Sequence, residues 1–203
     1  MNTELIEKVR VYCYDLINNG RCALLQFHNW QHTEDVVENV QIIAKNEGLN
    51  QKCIEELIIA AYFHDLGNIK TFTGHEVLSC YYASSFLTSQ KFPEHRLQNI
   101  LANIKATKMP QNPKTLSQKI MCDADLAHLG KTNFLTKNSN LRKEWEMHSN
   151  ITFTDEQWVD MNLSFLSNHY FHTDSARKIY TAHKLENIKK LQSYQNSLNS
   201  KII

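Results

Sequence analysis

Five glycines and three prolines are all that interrupt this chain of 203 residues. Gly20, Gly48, Gly67 and Gly130 each follow an apolar-periodic segment, the place of a residue just past a helix C-terminus. Pro93 suits the first turn of a helix, while Pro110 and Pro113 bracket a loop. No segment alternates apolar and polar residues over strand length beside a hairpin turn. The expected fold is therefore all-α, a single-domain helical bundle over residues 1–203.

Apolar spacing predicts a first helix from about Thr3 to Asn18, with Leu5, Val9, Tyr12 and Leu16 on one face. A second begins near Asn29 and ends before Gly48, burying Val36, Val40 and Ile43. A third covers about Lys52 to Asp65, with Ile54, Leu57, Ile58 and Ala61 inward. Two more follow, from Gly74 to about Thr88 and from Pro93 to about Ala106. A sixth, about Leu116 to Leu129, carries Ile120, Ala124 and Ala127 on one side. After Gly130 the clear signals are a capping box, Thr154-Asp155-Glu156-Gln157, and a last helix from near Thr173 that frays into the polar tail Ser193 to Ser200.

A net charge of +1 argues against a dedicated nucleic-acid partner, which would usually meet a basic excess. No apolar run approaches the length that spans a bilayer, and Met1 to Leu5 lacks the look of a signal peptide. The cysteines at 13, 22, 53, 80 and 122 are odd in number with no CxxC spacing, which reads as reduced thiols in a cytoplasmic protein. A homo-oligomer is compatible with all of this.

Ten histidines are many for this length, and their neighbours are informative. In Ala60-Ala61-Tyr62-Phe63-His64-Asp65-Leu66-Gly67 an apolar run delivers an adjacent imidazole and carboxylate to a helix end, and both are metal ligands. His28 and His32 lie four residues apart at the start of the second helix. Asp123 and Asp125 interrupt the otherwise apolar Met121-Cys122-Asp123-Ala124-Asp125-Leu126, where a carboxylate needs a partner such as a cation. Thr107 and Lys108, at the end of the fifth helix beside a loop with two prolines, place a hydroxyl and a cation together and are candidates for substrate binding.

In this order and spacing, the residues resemble the HD-domain metal-dependent phosphohydrolase superfamily over about residues 20–135, with 136–203 as a helical C-terminal extension. Phe27-His28-Asn29-Trp30-Gln31-His32-Thr33 is similar to a YHNxxHT motif shared with cyclic-nucleotide phosphodiesterase catalytic domains. His64-Asp65 matches the pair that names the superfamily, and Asp123-Ala124-Asp125-Leu126 resembles the segment with the last ligand. The resemblance implies an HD-type bundle with a metal site in a central cleft. Its ligands would be His32, His64, Asp65 and Asp123, with Asp123 preferred to Asp125 by motif position. It implies one divalent ion (Mn, Mg, Fe, Co, Ni or Zn), with a second, bridged by Asp65, left open.

The implied substrate is a small-molecule phosphate ester, mono- or diester, with nucleotides among the candidates. Metal-activated water at Asp65 would attack, and His28 would protonate the leaving oxygen. Asn29 either orients the helix start or contacts substrate, and His75, more than His95, would contact metal or phosphate. Phosphodiesterases carry an acid and a histidine after the pair, whereas here the chain reads Leu66-Gly67-Asn68. That departure keeps open a metal- and nucleotide-binding sensor without turnover.

Overall fold

The structure is a computed structural model describing residues 1–148 and 151–200. The described residues contain no strand, as an all-α fold requires. They form nine α-helices: α1 (Thr3–Asn18), α2 (Trp30–Asn46), α3 (Gln51–Phe63), α4 (His75–Ser89), α5 (Glu94–Ala106), α6 (Leu116–Asp125), α7 (Phe134–His148), α8 (Asp155–Asn168) and α9 (Asp174–Asn199). Short 3-10 turns follow α1, α3 and α6, at Arg21–Leu24, Leu66–Ile69 and Leu126–Gly130. Two compact units result, Met1–Asp125 and a second from Leu126 onward. No helix among the described residues is long and apolar enough to cross a membrane.

In the first unit asparagines start three of the helices. The side chains of Asn2, Asn29 and Asn50 accept the otherwise unpaired N–H groups of Leu5, of His32, and of Lys52 and Cys53. Helix α3 is the centre. All ten residues from Ile54 to Phe63 are buried, because α1, α2, α4, α5 and α6 pack around it. Burial reaches even Glu55 and Glu56, which Arg96 of α5 holds at 3.0 and 2.6 Å. Removing Arg96 would leave two buried charges without their cation. Tyr12, Phe63 and Phe86 form an aromatic cluster joining α1, α3 and α4.

Gly67 sets the approach of α4. Its N–H donates to Ser79 Oγ at 2.9 Å, and an added Cβ would lie 2.0 Å from the His75 carbonyl oxygen. Only a residue without a side chain lets the first turn of α4 lie on the turn after Asp65. We expect Gly67→Ala to cost about 2–3 kcal/mol, or roughly 5–10 °C of thermal midpoint. An unchanged melting curve would mean that α4 can retreat freely.

The second unit packs Leu129, Phe134, Leu166 and Leu191 into one apolar cluster. Its α8 carries the expected capping box, Thr154 with Gln157. At the other end of α8, the buried Lys184 ammonium donates to the carbonyls of Leu166 and His169. Helix α9 stays regular to Asn199 instead of fraying from Ser193: Leu198 is buried, and Tyr194 and Gln195 bond to Asp155 and Asp160 of α8.

Candidate metal centre

Local folding aims each imidazole. Asn29 accepts the His32 N–H at 3.2 Å, and its amide donates to the carbonyls of Leu25 and Gln26, both at 3.2 Å. That cap fixes where α2 begins and turns His32 inward, against the buried Phe27 ring at 4.9 Å. His64 is the C-cap residue of α3, still in helical backbone conformation, with Nδ1 2.7 Å from the Ala61 carbonyl oxygen. Asp65 then leaves the helix at φ −104°, ψ 3°, the bridge region that tight turns use. From α2, the buried Asn39 amide donates to the Ala124 carbonyl at 3.1 Å, tying down the end of α6 that carries Asp125.

Four side chains meet. Asp65 Oδ2 is 3.3 Å from Nε2 of both His32 and His64. Asp125 Oδ1 is 3.4 Å from His32 Nε2 and 3.6 Å from His64 Nε2. Neighbouring donors around an ion at about 2.1 Å are separated by roughly 3.0–3.4 Å, so Nε2 of His32 and His64 and the Asp125 oxygen, all within 4.8 Å of one another, are close to the size of a coordination shell, and Asp65 borders that trio. On the other oxygen of Asp65, His75 Nε2 is 3.0 Å from Oδ1, while His28 Nε2 is 4.0 Å from Oδ2. The floor is sealed, with the His64 and His32 side chains 0% and 4% exposed, and the mouth is open at His28 and His75, each 20%.

The donor set fits a divalent cation. With Nδ1 against a carbonyl, neutral His64 carries its proton there and turns a bare Nε2 lone pair toward two carboxylates. That buried nitrogen has no properly directed hydrogen bond among the described residues. A cation between it and the carboxylates resolves the conflict, and two neutral imidazoles with two carboxylates balance its charge.

Without a cation, protons take that place. Burial pushes His64 and His32 down, but Asp65 and Asp125 more than reverse this, so both sit above the ordinary histidine value. Burial likewise lowers His75, and the Asp65 carboxylate lifts it to about 9. Asp65 and Asp125 are held well below the usual carboxylate range by the imidazoles, against the upward push of burial. A group raised from 6.5 to about 9 on folding stabilises fully below 6.5 and loses that contribution as pH rises through 9. The thermal midpoint of chelator-treated protein should therefore fall between pH 7 and pH 9.5. A midpoint that rose over that interval would contradict the proton-filled site.

Several sequence expectations meet this geometry differently. The carboxylate that reaches the imidazoles is that of Asp125, not Asp123; on a helix, residues two apart point about 200° from one another. Asp123 is fully buried on α6. Asn29 has both amide functions engaged by its own chain, so of the two roles left open it fills that of orienting the helix start. Thr107, expected at the substrate, is buried with its hydroxyl donating to Ile104 O at 2.8 Å, a helix-end bond. Lys108 and His95 are exposed, and neither pairs with an acid among the described residues. His75 does stand beside Asp65, with Nδ1 2.8 Å from the Phe72 carbonyl oxygen. Asn39 was missed; its one sequence signal is an amide among the core positions Val36, Val40 and Ile43.

Residues 29–130 match the HD domain, so the chain belongs to the HD-domain family, the superfamily of metal-dependent hydrolases its motifs resemble. It is similar in fold to a predicted HD superfamily hydrolase from an uncultured Thermotogales bacterium, at 20% identity and a TM-score of 0.61, over 96% of this chain and 92% of that one. It is similar also to the Lin1889 protein of Listeria innocua, at 18% identity and a TM-score of 0.65, over 100% of this chain and 98% of that one. No curated protein matches it in sequence.

Proposed function

We propose that the protein is a metal-dependent phosphohydrolase acting on a phosphomonoester or phosphodiester of a small molecule, nucleotides included. The observation that carries this reading is the Asp65 carboxylate, which meets two buried imidazoles on one oxygen and a third on the other. His32, His64, Asp65 and Asp125 hold the ion, and the mixed nitrogen and oxygen set suits Mn, Fe, Co, Ni, Zn or Mg. A divalent ion there supplies Lewis acidity, which brings water toward ionisation near neutral pH and polarises a phosphoryl oxygen.

The chain's own residues supply the rest. Asp65 orients the attacking water through whichever lone pairs the ion leaves free. His28, partly exposed and 4.0 Å from Asp65, gives its proton to the leaving oxygen. His75 Nε2 lies 3.0 Å from the opposite oxygen of Asp65, so these two side chains would be donors to any second ion.

The test is hydrolysis of 4-nitrophenyl phosphate and bis(4-nitrophenyl) phosphate by chelated protein resupplied with Mn or Co. Activity should vanish on chelation and return with the ion. His28→Ala should lower kcat by about 100-fold or more with a smaller change in KM. Binding of phosphonates without turnover of any ester in a nucleotide panel would instead identify a sensor module.

A further inference from the structure

Among the described residues, four of the five arginines pair with a carboxylate: Arg10, Arg96, Arg142 and Arg177. Arg21 pairs with none. Its guanidinium carbon lies 4.0 Å from the centre of the Phe72 ring, over its face, a cation–π contact that holds it in place while leaving its N–H donors free. Phe72 belongs to the site on two counts. Its ring is 6.4 Å from the His28 ring, and its carbonyl oxygen is the partner of His75 Nδ1.

The loop carrying Arg21 is fixed as well. Gly20 packs against Ile69 in the turn that follows Asp65, where a Cβ would sit 3.5 Å from Ile69 and 2.6 Å from the Leu16 carbonyl oxygen. Successive contacts link Asp65 to His28, His28 to Phe72 and Phe72 to Arg21.

We propose that Arg21 binds a second anionic group of the substrate, carried by the leaving group. The inference rests on the phosphohydrolase reading above. If His28 protonates the leaving oxygen, the leaving group lies at His28 and extends along Phe72 toward the rim. A planar guanidinium already immobilised by stacking pairs with a phosphate or carboxylate through two parallel N–H bonds. The substrate class is thereby narrowed to phosphate compounds whose leaving portion is itself charged, such as phosphoanhydrides or esters bearing a further phosphate or carboxylate.

Calorimetric titration of Mn-loaded protein with three non-hydrolysable probes tests this: methylphosphonate, phosphonoacetate and methylenediphosphonate. Wild type should bind at least one of the doubly anionic probes tenfold or more tighter than methylphosphonate, and the probe that gains tells carboxylate from phosphate. Arg21→Ala should erase the gain while binding methylphosphonate as wild type does. Arg21→Lys and Phe72→Leu should each retain only part, because one keeps the charge without the plane and the other keeps the guanidinium without its platform. Any loss of metal to the probes would be common to all four proteins and cancels in the comparison. If methylphosphonate binds but the second anion adds nothing, or adds equally in Arg21→Ala, the Arg21 assignment is wrong. If methylphosphonate does not bind at all, the phosphohydrolase reading fails and this inference falls with it.

Discussion

Asp65→Asn should abolish stoichiometric binding of divalent metal and reduce phosphoester hydrolysis by about 1,000-fold or more, roughly 4 kcal/mol of transition-state stabilisation. The substitution preserves shape and removes only the charge and one acceptor. Three imidazole nitrogens lie within 3.3 Å of that carboxylate, and a fourth lies at 4.0 Å. An amide cannot neutralise a cation and would turn an N–H toward at least one of them. The same variant carries an internal control. Without the acid, the protonated forms of His64 and His75 lose their main support, so the fall in thermal midpoint toward pH 9.5 expected of metal-free wild type should largely disappear. Metal content by mass spectrometry, activity, and melting at two pH values check the three parts. Retained metal and activity would remove Asp65 from the centre of the site.

Asp125→Asn should weaken metal binding by about 100-fold, whereas Asp123→Asn should bind the ion with near wild-type stoichiometry and lose thermal stability instead. The contrast follows from placement on α6. Asp125 presents Oδ1 at 3.4 and 3.6 Å from His32 and His64, and Asn39 holds the preceding carbonyl. Asp123 is a fully buried carboxylate outside that donor group. Altering a buried carboxylate disturbs packing and hydrogen bonding and does not touch the ion. Parallel calorimetric titrations with Mn settle the matter. Loss of metal in Asp123→Asn with retention in Asp125→Asn would restore the preference read from the sequence.

That pair of aspartates shows where sequence reading stops. Asp123 and Asp125 stand in one apolar stretch, and motif position alone selected the wrong one for the imidazoles to meet. The choice depends on the rotation of α6 about its axis, which long-range contacts such as the Asn39 amide fix. His32, His64, Asp65 and His75 were legible because each stands beside a helix end whose cap or glycine is itself visible in the sequence. Thr107 and Asn29 share one feature: as short polar side chains at helix ends, both are engaged by their own backbone.

The fold followed similar lines. Helices α1 to α6 were legible from apolar spacing and punctuation, though α6 tightens into a 3-10 turn at Leu126. Helix α7 was not foreseen. Its buried positions are Phe134, Asn138 and Glu144, and Asn138 joins Trp158 and Asn162 of α8 in a hydrogen-bonded network. A helix anchored by amides shows no apolar stripe to read. The polar end of α9 misled in the same way, because cross-links to α8 hold it.

The most direct measurement is a crystal structure of the protein grown with Mn, with anomalous data collected at the manganese edge. The account predicts a peak bounded by Nε2 of His32 and His64 and by the carboxylates of Asp65 and Asp125, with His28 outside the coordination shell. A peak coordinated by Asp123, or no peak among these four side chains in protein that hydrolyses phosphoesters, would contradict it.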